Sequence, residues 1–407
     1  MRPMPLRAVS FLLYAYVGWR IAPNLGATWM GGAFVAVLVV SVLSLPFAFG
    51  RRRKHPGRAV DAVLAWAALV GMGLFSSLFV LTVVRDLALG AAAIVAALAP
   101  GNFPVASFAQ ASARAVPVVA ALVTLWGLVN ARRTAAVVRV DVPVTDLPAA
   151  LQGFAIAQIS DVHIGPTIRR PYLEAIVDAV NRLDADLVAV TGDLVDGSVK
   201  DLADHVAPLA ALRSRDGTFF VTGNHEYYSG AAAWVGELRR LGITVLMNEH
   251  VVIARGDAKL VVAGVTDFNA GHFDRAQASD PKAALAGSPP AALRLLLAHQ
   301  PRSAEAAEAA GFDLQLSGHT HGGQFWPWNY VVRLQQPYTA GLHRLEQLWI
   351  YTSRGTGYWG PPKRFGAPSE ITRLRLVSAS GCKPISMRVC RRFQDSAGGM
   401  NRLNNCA

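Results

Sequence analysis

Charge is scarce in this 407-residue chain: Asp, Glu, Lys and Arg make up 16% of it, against 52% hydrophobic residues. Ordinary soluble domains carry about 25% charged residues, so part of this chain belongs in lipid. Acidic residues are scarcest at the start, where residues 1–144 hold 13 Lys or Arg and 3 Asp or Glu. The tail, 377–407, adds 5 basic residues and one Asp. Most of the net charge of +12 therefore flanks apolar runs or lies in the tail, and 145–376 is close to neutral. That distribution leaves no basic surface for a nucleic acid, and no such partner is expected. Cysteine is nearly absent: Cys382, Cys390 and Cys406 all fall in the tail, and their spacing matches no paired zinc-ligand pattern.

Long apolar runs are abundant. Four can be read at 8–22, 29–49, 60–84 and 115–130, each near the ~20 residues that cross a hydrocarbon core. Together they predict a multi-pass anchor of about four helices over 1–144. A fifth run, 87–100, is short for a crossing and reads as an interfacial or re-entrant piece. Basic residues gather on the cytoplasmic side of membrane proteins, and the loop RRRKHPGR at 51–58 is the strongest such signal. Retaining that loop inside a bacterial inner membrane puts the remainder of the chain in the cytoplasm; a true crossing at 87–100 would put it outside. Near residue 145, VRVDVPVTDLPAAL changes from continuous apolarity to alternation with Pro and Asp and reads as a linker leading into a sheet; a soluble domain is expected over 145–376, followed by a basic tail, 377–407.

Within 145–376 apolar strands alternate with helical stretches, and the strands end in polar clusters. FAIAQIS stops at Asp161-Val162-His163, DLVAVTG at Asp193 with Asp196 just beyond, and TFFVTG at Asn224-His225-Glu226. RLLLAHQP carries His299, and FDLQLSGHTHGGQ ends at His319-Thr320-His321. Residues two apart on extended backbone share a side, so Asp161 with His163, and His319 with His321, can each face one cation. Open α/β sheets place their ligands at the carboxyl ends of strands. One such residue is ordinarily a cap or a satisfied core group; seven of ligand type at successive strand ends point to a metal centre.

The ordered blocks DVH, GDLVD, GNHE, a lone AH and GHTHGG resemble the calcineurin-like metallophosphoesterase superfamily over about 150–376. The segment 353–376 is similar to the closing part of bacterial membrane-associated phosphoesterases, whose relatives include UDP-2,3-diacylglucosamine hydrolases. The resemblance implies a four-layer α/β sandwich, two packed mixed β-sheets flanked by helices, behind the transmembrane region. It implies two divalent cations, Mn, Fe or Zn, with Asp161, His163 and His321 on one, Asn224, His299 and His319 on the other, and Asp193 shared. Hydrolysis of a phosphoester or pyrophosphate by a hydroxide held between the cations follows, with His225 protonating the leaving oxygen. The membrane anchor makes a lipid-linked phosphate a natural substrate.

Neighbouring residues are expected in lesser roles. Asp196 and Glu226 read as groups that orient ligands or cap helices, and Asp267 as a loop cap or a pocket residue. Arg354, Lys363 and Arg364 read as solvated charges, with substrate anions as the other use. Trp326, Trp328, Tyr358 and Trp359 read as core, with a lipid groove as the alternative. A reading of a different class is a non-catalytic membrane scaffold that keeps the fold; retention of all seven ligands argues against it.

Overall fold

A computed structural model describes residues 6–48, 59–99 and 103–379. The basic loop 51–58 and Cys382, Cys390 and Cys406 lie outside the described residues.

In a segment apolar on all sides, the helix satisfies every backbone N–H and C=O within itself, and the first third of the chain folds as four helices. They are α1 (Leu6–Ile21), α2 (Thr28–Ala48), α3 (Ala59–Leu98) and α4 (Val105–Arg132). The last three are long and apolar enough to cross a membrane. Residues 87–98 are not a separate re-entrant piece, because α3 runs without a break for 40 residues, about 60 Å at 1.5 Å per residue. No helix breaker separates the two runs, and the intervening charge is neutralised inside the bundle. Arg20 Nε and Nη2 lie 2.8 and 2.9 Å from the Asp86 carboxylate, and Arg85 Nη1 lies 3.2 Å from it.

Helices α3 and α4 are antiparallel neighbours. Arg132, at the end of α4, stands over the Trp66 ring near the start of α3, and further along Arg85 donates to Ser112 Oγ and Ala109 O. The chain therefore leaves α4 at the same end of the bundle at which α3 begins.

The sheet region starts earlier than the alternation of 145 onward suggests. Strand β1 (Ala136–Val144) pairs in parallel with the last strand, β12 (Glu370–Ser378). It is an edge strand whose outer face stays wet, so VRVDVPV mixes polar residues with valine and reads as a linker. The other strands are β2 (Ala155–Ile159), β3 (Leu187–Val190), β4 (Thr218–Phe220), β5 (Thr244–Val245), β6 (Glu249–Arg255), β7 (Ala258–Gly264), β8 (Leu293–Leu297), β9 (Leu314–Ser317), β10 (Gly341–Leu345) and β11 (Leu348–Thr352). They form two six-stranded sheets, ordered β1-β12-β2-β3-β4-β5 and β10-β11-β9-β8-β7-β6. Both are mixed: β2, β3, β4 and β5 run parallel, as do β7, β8, β9 and β11, while β12 opposes β2, and β6 and β10 oppose their neighbours.

Ile156, Leu187, Phe219, Leu295 and Leu316 fill the space between the sheets. The outer face of the first sheet is covered by α5 (Arg170–Asn181), α6 (Val199–Val206) and, after the short α7 (Asn224–Ser229), α8 (Ala231–Arg240). The outer face of the second packs against α9 (Pro281–Leu285) and α10 (Ala304–Ala310). The result is the expected α/β/β/α sandwich. Central strands buried on both faces need near-continuous apolar runs, which is why β3 reads as LVAV and β8 as LRLLL, whose one charge, Arg294, takes the half-buried position.

Candidate metal centre

Strands β2, β3, β4, β8 and β9 stop at one end of the sandwich, and the polar clusters that follow them meet there. Asp161, His163 and His321 form one group whose ligand atoms all lie within 4.8 Å of one another, and Asp193, His299 and His319 form a second. His163 Nε2 is 3.1 Å from His321 Nε2, and His299 Nε2 is 3.2 Å from both His319 Nδ1 and Asp193 Oδ2. A further group joins His163, Asp193 and His225, so Asp193 stands between the two sets. Asn224 lies at the N-terminus of α7, and its Oδ1 is buried without a hydrogen-bond partner. A buried acceptor left unpaired costs about 1–3 kcal/mol, and the amide of the next residue, His225, donates to Asp193 Oδ1 at 2.8 Å, which puts Asn224 next to the cluster in the chain. This donor-poor set fits a cation, and it mixes hard oxygen with imidazole nitrogen as Mn, Fe and Zn accept.

The backbone is bent to bring these side chains inward. Asp161, His163, Asp193, His319 and His321 all have φ between 51° and 69°, a left-handed region that few non-glycine residues occupy and that clusters at functional sites. Two glycines permit the crowding. A Cβ on Gly223 would stand 2.2 Å from Asp193 Oδ1, and one on Gly318 2.2 Å from Asp161 Oδ2.

Partners behind the cluster fix it. His299 Nδ1 is 2.7 Å from Thr191 O, which leaves Nε2 free to face inward. The His319 amide donates to both oxygens of Asp161, at 2.9 and 3.0 Å. Asp196 Oδ1 lies 3.1 Å from His163 Nδ1 and 2.6 Å from His225 Nδ1, so one carboxylate orients two imidazoles. The buried Glu226 accepts from the amides of Asp193, Leu194 and Gly223, tying the ends of β3 and β4 together. Both orienting roles match the sequence expectation.

Burial opposes ionisation of the Asp193 carboxyl, yet the charges of His299 and His225 hold it well below the usual range. Burial likewise opposes Asp196, which His163 and its hydrogen bonds pull down to about 2. Burial drives the His319 imidazole down to about 3, leaving it in the neutral form that ligates. Burial works against the proton on His225, but the Asp193 charge and the Asp196 hydrogen bond raise it to about 9.

The sequence family described as Calcineurin-like phosphoesterase matches residues 154–323. A "Transmembrane protein with metallophosphoesterase domain" of Bos taurus is 41% identical over 279 residues, 65% of this chain and 63% of that protein. An "Uncharacterized metallophosphoesterase" of Helicobacter pylori is 40% identical over 227 residues, 54% of this chain and 59% of that protein. Another of Aquifex aeolicus is 35% identical over 224 residues, 54% of this chain and 84% of that protein. The chain belongs to the calcineurin-like phosphoesterase family. The chain spans less than two thirds of the bovine relative's length.

The structure departs from the sequence reading at the basic residues after the last strand-end cluster. Lys363 and Arg364 are 1% exposed and are neither solvated charges nor open to a substrate anion. Lys363 Nζ donates to Gly73 O in α3 at 3.0 Å. Arg364 donates to the carbonyls of His321, Arg354 and Gly357, and its own amide donates to Gly127 O in α4. Arg354 pairs with Glu370 at 2.7 Å. Asp267 is the loop cap, accepting from Asn269 N and from the Gln300 amide. Of the four aromatics read as core, only Tyr358 is buried; Trp326, Trp328 and Trp359 are exposed. Sequence alone could not expose the contacts of Lys363 with α3 and of Arg364 with α4, because they join segments more than two hundred residues apart.

Proposed function

We propose that this phosphoesterase is a membrane-anchored, dinuclear metal-dependent hydrolase of phosphoesters or pyrophosphates, with amphiphilic, lipid-linked esters as its substrate class. The observation that carries the reading is the pair of ligand groups meeting at Asp193; the buried, unpartnered oxygen of Asn224, whose neighbour's amide binds Asp193, supports it. Asp161, His163 and His321 would hold one cation, Asn224, His299 and His319 the other, and Asp193 both. Two such cations, Mn, Fe or Zn, would clamp the phosphoryl oxygens and lower the pKa of water enough to supply hydroxide near neutral pH.

The chain's own groups do the rest. Asp196 holds His225 by Nδ1 and leaves Nε2, 3.9 Å from Asp193 Oδ2, turned to the cluster, where it can protonate a departing oxygen. Glu226 and the glycines keep Asp193 and Asn224 from moving apart. The catalytic region adjoins the end of the bundle that follows the basic loop 51–58, which supports a cytoplasmic domain on a bacterial inner membrane.

Purified full-length protein loaded with Mn2+ is expected to hydrolyse bis-p-nitrophenyl phosphate or a prenyl pyrophosphate, and metal analysis to return about two ions per chain. Fewer than one ion per chain after loading, with no turnover across such a panel, would leave a scaffold in place of an enzyme.

A further inference from the structure

The depth at which the catalytic region meets the helices can be read from contacts. Helix α2 is 21 residues long and needs nearly its whole length to cross about 30 Å of hydrocarbon, so its middle lies inside the bilayer. Ser41 belongs to that middle: it bonds Tyr14 at 3.0 Å, and its Oγ stands 2.8 Å from where a Cβ on Gly71 of α3 would be. Tyr14 in turn stacks on Phe75 of α3. Gly71 to Phe75 is therefore membrane-embedded.

The catalytic region touches α3 at this same level. Trp328 Nε1 donates to Ser76 Oγ at 3.0 Å, and Lys363 reaches Gly73 O. Trp328 begins the short helix α11 (Trp328–Val331), on a segment whose other large side chains face outward. Tyr330 and Val331 are exposed, and Leu334 is 86% exposed. Water would make that display costly, since burial of such side chains is favourable. Acyl chains would cover the apolar groups, while Arg333 on the same segment, stacked over the Tyr330 ring, is long enough to reach the headgroups. The same segment leads to the metal centre: Gln324 holds Trp359 through its backbone N and O, and the Trp359 ring lies 5.5 Å from that of His225.

We propose that residues 325–334 are immersed in the leaflet nearest the catalytic region, and that Trp326 and Trp359 form a lipid-facing wall along which an amphiphilic phosphoester passes from the leaflet to the metal centre. The headgroup would meet His225 and the ligand cluster while the chain stays among lipid tails. The immersion stands on contacts alone; the passage of an ester rests on the function proposed above.

The test uses full-length protein in phosphatidylcholine nanodiscs, with Cys382, Cys390 and Cys406 changed to Ser. An environment-sensitive fluorophore is placed on Leu334→Cys and, as a control, on Asp257→Cys in the exposed β6–β7 turn at the opposite strand end. Lipids carrying a doxyl quencher on the acyl chain are expected to quench the label at 334 strongly and the one at 257 hardly at all. Equal quenching at the two sites overturns the immersion, whatever the enzyme's activity. Leu334→Asp is then compared on vesicle-borne prenyl pyrophosphate and on soluble bis-p-nitrophenyl phosphate. A loss of about tenfold in kcat/KM on the first alone, the scale of one buried leucine side chain, supports the lipid route. An equal effect on both substrates overturns that route and leaves the hydrolase reading intact.

Discussion

The protein buries charged side chains in two places and treats them in opposite ways. At the candidate metal centre, carboxylates crowd imidazoles: Asp161 and Asp193 stand among histidines, and the backbone is left-handed at five of the candidate ligand positions. At the face against α3 and α4, Lys363 and Arg364 are just as buried, yet Lys363 donates to Gly73 O and Ser77 Oγ, and Arg364 donates to the carbonyls of Arg354 and Gly357 and links this face to the site through His321, whose Nδ1 lies 3.1 Å from its Nη2. Native proteins pair buried polar groups. The joint's charges find their partners within the chain; the candidate site sets carboxylates and imidazoles against one another, an arrangement a cation resolves. An unpaired acceptor alone does not mark the site, since Gln158 Oε1, Gln315 Oε1 and Gln336 Oε1 are also buried without a partner.

The strongest way to break that comparison is at Asp193. Asp193→Ala is expected to reduce turnover of bis-p-nitrophenyl phosphate by roughly 10^3-fold or more, as losing a shared charge-stabilising group does, and to bring bound metal, measured by mass spectrometry, below two per chain. Retained turnover would show that the unpaired cluster is not the reacting centre. His225→Ala is expected to cost about 10^2- to 10^3-fold, the scale of a general acid, with metal content unchanged. If metal is lost as well, His225 is a ligand, as its grouping with His163 and Asp193 allows.

Asp196→Asn sharpens the same side by a smaller step. It keeps the shape but weakens the hold on the rings of His163 and His225, and an outer partner of this kind is worth about 10- to 100-fold in activity or metal affinity. The check is the metal concentration for half-maximal activity together with kcat: a shift in the first implicates His163, a fall in the second His225.

What the sequence could reveal divides along the same line. The seven ligand candidates were legible because each follows an apolar strand that must end, and because carboxylate, amide and imidazole at the ends of five strands have a shared use. Asp196 and Glu226 were legible as supports for the same reason, being within three residues of a ligand. Lys363, Arg364 and Trp328 were not: a Lys beside a proline pair looks solvated until α3 is known to pass 3.0 Å from its ammonium. Strand β1 was missed because an edge strand and a linker share a polar, alternating composition, and only pairing with β12, more than two hundred residues later, tells them apart. Helix α3 was cut short because length alone separates one long helix from a span followed by a re-entrant piece, and hydropathy does not report where a helix leaves the membrane.

The smallest expected effect tests the other half of the comparison. Lys363→Met keeps the length and the apolar stem while removing the ammonium, and Gly73 O, inside a helix, loses only an extra donor. Replacing a well-paired buried charge by an apolar side chain of similar volume is often close to neutral, so stability should change by less than about 1 kcal/mol and soluble-ester turnover by less than about twofold. Gly127→Leu is the counterpart that must hurt: its Cβ would stand 2.6 Å from Lys363 Cγ, forcing the face apart, and overpacking of this kind costs about 1–3 kcal/mol. Thermal unfolding in detergent measures both. A Lys363→Met protein that unfolds as before but no longer turns over the soluble ester would make Lys363 part of the chemistry, and complete pairing would no longer distinguish a joint from a site.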